Sequence, residues 1–182
     1  MSITVLPGAV ARYTSSKVRE ALFNMLGSVE GLSILDLFAG SGSFSIEALS
    51  RGAAAATLVE ANRKMSDLIG KNLARTDLDK YCQVLHMDVR YAVPLLFVRN
   101  CVYDVIFMDP PYEMGYVTQT MALLEKHPLR NSDTVTIAEY SRREGDSFSR
   151  FEGLEGAKTR RYGDTIISLF NDDKTPALKE RP

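Results

Sequence analysis

Four consecutive residues, Asp109-Pro110-Pro111-Tyr112, follow an apolar run at Tyr103 to Met108 and carry the most specific chemical signal in the chain. Two prolines in a row fix the backbone and remove two N–H donors. Their carbonyls are left with no competing amide of their own. An ionised Asp accepts hydrogen bonds and cannot donate them. The Asp109 carboxylate and the Pro110 carbonyl can therefore hold the two hydrogens of one NH2 group and turn its lone pair toward an electrophile. Tyr112 adds a flat face for stacking a base, a contact worth ~1–3 kcal/mol. The plainer alternative is a rigid turn with a capping Asp. The position at a strand's carboxyl end favours the chemical reading.

Other residues of suitable type stand at comparable places. Asp36-Leu37-Phe38-Ala39-Gly40-Ser41-Gly42 closes a short apolar run. Its glycines allow a tight turn and a close ligand approach, and the helix that follows exposes unpaired N–H groups. Such a turn can hold a phosphate or the carboxylate of an amino-acid cofactor. The full dinucleotide fingerprint has a third Gly where this chain has Ser45. Glu60 lies about 20 residues beyond the glycines, where a carboxylate can accept both hydroxyls of a ribose. Asp88 can accept from an adenine amino group, or cap the helix beginning at Val89, or do both.

Elements that alternate in type must position these residues. Val18, Ala21, Leu22, Met25 and Leu26 recur at helical spacing, which predicts a helix from Ser16 to Gly27 capped by Ser15 or Ser16. Strands are expected at Ser33 to Phe38, Thr57 to Glu60, Cys82 to His86, Tyr103 to Met108, Thr134 to Tyr140 and Thr165 to Phe170. Helices are expected at Ser43 to Arg51, Asn62 to Arg75 and Tyr116 to Lys126, with a short one around Pro94 that starts near the proline or kinks at it. Alternation of this kind predicts an α/β fold with a mainly parallel sheet. In such sheets ligands bind beyond the carboxyl ends of the strands, where the strand order reverses. The expected layout is one domain: an arm at 1–14, a core at 15–170 and a flexible tail at 171–182.

Composition narrows the classes. The formal net charge is −1, so nucleic acid would have to meet a local basic patch. Arg12, Lys17 and Arg19 around the first helix, and Lys158, Arg160 and Arg161 before the last strand, are the candidates. Arg19 has the alternative of an acidic partner inside the protein. Cys82 and Cys101 lack CxxC spacing and read as reduced thiols. His86 and His127 have no clustered partners, and no metal site is expected. No apolar run is long enough for a membrane span, and Met1 to Gly8 lacks the layout of a signal peptide. The expected location is the cytoplasm.

At these motifs the chain resembles the class I S-adenosylmethionine-dependent methyltransferases, and Asp109-Pro110-Pro111-Tyr112 resembles the Asp/Asn-Pro-Pro-aromatic motif of their amino-methylating branch. TSSKVREALFN from Thr14, DLFAGSG from Asp36 and EALSRGA from Glu47 are similar, with that motif, to the RsmD-type bacterial 16S rRNA guanine-N2 methyltransferases. The similarity runs from about Arg12 to Phe170. It implies a Rossmann-like, mostly parallel seven-stranded sheet with helices on both faces and its last strand antiparallel. It implies S-adenosylmethionine as cofactor, its methionine end held by Asp36, Ala39, Gly40 and Gly42, its ribose by Glu60 and its adenine by Asp88. Asp109, Pro110 and Tyr112 would hold the target guanine, with Pro111 beside them, in 16S rRNA within a 30S particle or assembly intermediate. The enzyme would act as a monomer. The family usually has Arg-Pro-Thr where this chain has Arg12-Tyr13-Thr14, and a longer basic hairpin where eleven residues without a basic side chain precede Arg12.

The reaction so implied is direct displacement, in which the base nitrogen attacks the sulfonium methyl group and S-adenosylhomocysteine leaves. Orientation supplies much of the help, and hydrogen bonds to Asp109 and Pro110 favour the developing positive nitrogen. Other readings are an adenine-N6 methyltransferase with the same turn, a nicotinamide-dependent oxidoreductase, and a non-catalytic RNA-binding assembly factor. Ser45 and the Pro-Pro turn argue against the oxidoreductase, and the intact Asp109 motif argues against the assembly factor.

Overall fold

The computed structural model describes residues 16–144 and 157–170, except for the side chains of Ser16 and Lys17. The expected arm, the expected tail and Arg12 lie outside those residues. The elements are α1 (Ser16–Leu26), β1 (Ser33–Asp36), α2 (Ser43–Ser50), β2 (Ala55–Val59), α3 (Arg63–Ala74), β3 (Cys82–Leu85), α4 (Val89–Val98), β4 (Val105–Met108), α5 (Tyr116–Lys126), β5 (Val135–Ser141), β6 (Lys158–Tyr162) and β7 (Thr165–Phe170). The strands form one seven-stranded sheet in the order β3-β2-β1-β4-β5-β7-β6. Strands β1 to β5 pair in parallel. Strand β7 is antiparallel to both of its neighbours, β5 and β6. The chain steps outward from β1 to β3 and then returns to lay β4 on β1's other side. The order therefore reverses between β1 and β4, whose carboxyl ends carry the glycine turn and the Asp-Pro-Pro-Tyr turn.

Alternation along the strands makes two cores. Ile34, Leu58, Val105, Phe107, Ile137 and Ile167 face α1, α2 and α3, while Leu35, Val59, Ile106, Met108 and Ala138 face α4 and α5. A parallel sheet covered on both sides needs such continuous apolar strands. β4 is buried at all four positions. On the first face the Phe44 ring stacks between Phe23 and Phe107, with centroids 5.2 and 4.0 Å away. This ties α1 and α2 to the strand that ends in Asp109.

Local signals set the helix ends. Gly27 stops α1 with a φ of 80° and donates its N–H to Phe23, a left-handed cap that glycine adopts without strain. Asn62 caps α3 by accepting from the amides of Lys64 and Met65. Pro94 lies inside α4, which runs through it from Val89 to Val98.

One element was not anticipated from residue pattern. Lys158, Arg160 and Arg161 precede the last strand, as expected, but they lie within a strand of their own, β6, at the edge of the sheet. Its first four residues are exposed and it lacks apolar alternation; among the described residues it pairs on one side alone, with β7, and charges on an edge strand discourage pairing with other chains. Cys82 and Cys101 are both free thiols, and burial, with help from Asp79, pushes Cys82 up to about 11. Among the described residues no helix is long and apolar enough to cross a membrane, and no group of three or more His, Cys, Asp or Glu is placed to hold a metal ion.

Candidate active site

A cleft of about 1220 Å³ opens at the carboxyl ends of the strands. Asp36, Ala39, Gly40, Glu60, Asp88, Asp109, Pro110, Pro111 and Tyr112 all line it. The structure thus brings most of the motif residues to one cavity.

The glycine turn is built by packing as much as by ligand access. Gly42 caps α2 in a left-handed conformation with φ 77°, and a Cβ there would stand 3.2 Å from Leu58 Cδ2 and 3.5 Å from Ile69. It does not line the cleft, so its part is the turn and the close approach of α2 to β2 and α3. Gly40 also has a positive φ, 55°, but a Cβ there would meet nothing within 4 Å. Buried Asn72 on α3 donates Nδ2 to the Ser41 carbonyl at 3.0 Å and steadies the loop between them.

Asp36 is 1% exposed, at the end of β1. Ser45 Oγ donates to its Oδ2 at 2.9 Å, while its Oδ1 is buried without a hydrogen-bond partner among the described residues. Burial pushes the Asp36 carboxyl up to about 7; the Ser45 bond and, more weakly, the nearby Phe38 amide oppose the rise, and the Glu60 charge adds to it. A buried acceptor without a donor is costly, and Asp36 is among the residues that line the cleft. Ser45, which stands where the dinucleotide fingerprint has its third glycine, is thus a partner of Asp36.

Glu60 and Asp88 are already engaged. Glu60 Oε2 accepts from the Gly40 amide at 2.8 Å and Oε1 from the Asn62 amide at 2.7 Å. Asp88 caps α4 through the Arg90 amide and pairs with the Arg90 guanidinium through both oxygens, at 2.9 and 2.8 Å. The Arg90 side chain holds the Asp88 carboxyl below its usual range. Of the roles weighed for Asp88, the helix cap is present in the structure.

The Asp109 turn leaves β4 and runs beside β5 and β7. Pro110 is buried, Asp109 and Tyr112 are half-buried, and Pro111 is exposed. Tyr112 donates its hydroxyl to Glu139 Oε1 at 3.1 Å and lies 3.0 Å from Thr165 Oγ1. Burial raises the Tyr112 phenol well above its ordinary value, and the Glu139 and Asp109 charges add to the rise. Neither Glu139 nor Thr165 was singled out from the sequence. A lone acid inside an apolar strand was the available signal. Beyond Tyr112, Glu113 adopts φ 62° and its carboxylate meets Arg143 Nη1 at 3.1 Å.

Of the candidate RNA-contact residues, Arg19, Lys158, Arg160 and Arg161 do not line this cleft. Arg19 takes the internal partner that was its alternative: its Nε meets Glu47 Oε2 at 2.8 Å. Burial raises the Glu47 carboxyl, but bonds from Arg19 and Arg51 outweigh it and hold the group below its usual range. Lys17 lies in α1. Arg160 and Arg161 are exposed on β6, and Arg161 Nε donates to the Gly163 carbonyl at 2.9 Å.

Comparison with known proteins agrees with this geometry. Residues 1–171 match the family model described as Conserved hypothetical protein 95. YlbH of Bacillus subtilis, named as a candidate rRNA methyltransferase, is 34% identical over 170 residues, covering 93% of this chain and 92% of its own length. Ribosomal RNA small subunit methyltransferase D of Escherichia coli is 40% identical over 115 residues, 63% of this chain and 56% of that protein. Among solved structures, a hypothetical protein of Thermus thermophilus superposes with a TM-score of 0.78 at 26% identity, over 94% of this chain and 93% of its own. The chain belongs to the Conserved hypothetical protein 95 family, the RsmD-type rRNA methyltransferases of the class I S-adenosylmethionine-dependent superfamily.

Proposed function

We propose that this protein methylates the exocyclic N2 amino group of a guanine in 16S ribosomal RNA, acting as a monomer on a 30S particle or an assembly intermediate. The observation that carries the reading is the shared cleft, which joins the unpartnered Asp36 Oδ1 to the Asp109-Pro110-Pro111-Tyr112 turn. The names of the Escherichia coli and Bacillus subtilis relatives support rRNA as the substrate.

The residues fit S-adenosylmethionine. Asp36 Oδ1, which lacks a hydrogen-bond partner among the described residues, would accept from the ammonium of the methionine end and be held ionised by it. Gly40 leaves open space where any side chain would begin. Glu60 presents a carboxylate to the ribose hydroxyls, which would share it with the Gly40 and Asn62 amides. Asp88 is offered to the adenine amino group, in competition with the exposed Arg90 guanidinium. When bound, the cofactor supplies an electrophilic methyl group on a sulfonium.

Asp109 and the Pro110 carbonyl hold the guanine NH2 by its two hydrogens and orient its lone pair along the line of attack. Their negative ends stabilise the nitrogen as it becomes positive, which is preorganised electrostatic help, and the methylated nitrogen then gives up its surplus proton to the Asp109 carboxylate that already holds it. Tyr112 stacks the base, which must first leave its own stack at a cost of a few kcal/mol. Arg160 and Arg161 on β6, with Lys17 and Arg12, supply the phosphate contacts.

The test is to incubate the protein with labelled S-adenosylmethionine and, separately, 30S subunits, free rRNA and DNA, and to identify the product nucleoside by mass spectrometry. N2-methylguanosine in rRNA is expected. N6-methylated adenine, in RNA or DNA, would transfer the same turn to the adenine reading, and no transfer to RNA or DNA would end both.

A further inference from the structure

We infer that Glu139 and Thr165 are positioning residues that lock the Tyr112 ring through its hydroxyl, so that the base platform is set by β5 and β7 rather than by its own loop. The inference rests on the base-holding reading of Tyr112. Glu139 is 3% exposed and lies near the end of β5. Thr165 begins β7 and is one residue past the β6–β7 turn, whose Asp164 lines the cleft.

The hydroxyl geometry has a direction. Tyr112 has one proton and gives it to Glu139 Oε1 at 3.1 Å. The 3.0 Å contact with Thr165 Oγ1 is then completed by the Thr165 hydroxyl donating to the phenol oxygen. The result is a relay, Thr165 to Tyr112 to Glu139, in which each bond polarises the next. A stacking ring needs only its faces. A tyrosine whose hydroxyl is held by two strands has its tilt and depth fixed as well.

The surrounding contacts run the same way. Arg142 N–H donates to the Asp164 carbonyl at 2.8 Å, which holds the β6–β7 turn to the end of β5. Arg143 reaches Glu113, the residue after Tyr112, at 3.1 Å. The loop carrying Tyr112 is thus tied to the β5 end on one side, and the β5 end to the β6–β7 turn on the other.

The test measures KM for 30S subunits or free rRNA (whichever accepts the methyl group), kcat, and the Kd for S-adenosylhomocysteine. Tyr112→Phe removes both hydroxyl contacts and is expected to raise the RNA KM roughly fivefold or more, with the cofactor Kd within about twofold. Glu139→Ala should do the same, and the double variant should be no worse than either single one. Glu139→Gln should restore the wild-type KM, because its amide oxygen still accepts from the phenol. Should Glu139→Ala fail to fold, Tyr112→Phe with Thr165→Val carries the same comparison. If Tyr112→Ala raises the RNA KM while Tyr112→Phe and Glu139→Ala do not, the tether is wrong and the base platform stands. If Tyr112→Ala leaves the RNA KM unchanged, the base-holding reading fails and takes the tether with it.

Discussion

Replacing Asp36 by Asn should make the cofactor-free protein more stable at alkaline pH while crippling cofactor binding. The buried Asp36 carboxyl titrates at about 7 against an ordinary value of 3.8. Between those values the folded chain holds a proton that the unfolded chain has lost. Stability therefore falls as pH climbs through that window and is lowest above about pH 7. The gap corresponds to about 4 kcal/mol, most of it from burying the charge. Asn is neutral throughout and can still accept from Ser45. Asp36→Asn should be near neutral at about pH 3 and stabilising by up to about 4 kcal/mol at pH 8.5, or roughly 8–16 °C in Tm for a chain this long. Urea or thermal melts of both proteins across that range would show two curves that diverge. Addition of S-adenosylhomocysteine should reverse the order at pH 8.5, because its ammonium gives the ionised carboxylate a partner. Its binding to wild type near pH 6 should release close to one proton, read by calorimetry in buffers of different ionisation enthalpy. Parallel melting curves, with no pH-dependent gap, would mean that Asp36 is not buried as a protonated acid.

Asp109→Ala should abolish methyl transfer while cofactor binding and melting temperature stay near wild type; near-normal turnover would remove its base-holding role. Tyr112→Ala should weaken RNA capture more than cofactor binding in paired titrations, and equal losses would make the residue structural. Gly42→Ala meets both a φ of 77° and a Leu58 methyl at 3.2 Å, so urea unfolding should register a loss of about 1–3 kcal/mol. Replacing both Arg160 and Arg161 by Ala should lower RNA affinity and flatten the plot of log affinity against log salt by about 1–2. An unchanged slope would take β6 out of the RNA interface.

The sequence was most legible where a residue type has few other uses. Two prolines after a buried strand, glycines before a helix and an Asp ahead of Val89 all marked real turns and caps, and the cleft gathers them. Strand β6 was missed because its pattern, Lys-Thr-Arg-Arg-Tyr, carries no apolar alternation; pairing with β7 on one side holds it, and no local signal reports that. Glu139 was missed for a related reason. It is one acid in a β-branched and apolar run, and its meaning comes from Tyr112, 27 residues away in sequence. Arg19 was legible only as a choice between RNA and an internal acid, since its partner Glu47 lies 28 residues further on. Long-range partners of this sort are set by tertiary packing, and spacing along the chain does not encode them.

A crystal structure with S-adenosylhomocysteine bound would show whether Asp36 and Asp109 serve one reaction centre. The ammonium should sit on Asp36 Oδ1 and the thioether sulfur should face the gap between Asp109 and the Pro110 carbonyl, leaving room for one base against Tyr112. A cofactor lodged elsewhere, or one whose sulfur points away from Asp109, would contradict the account.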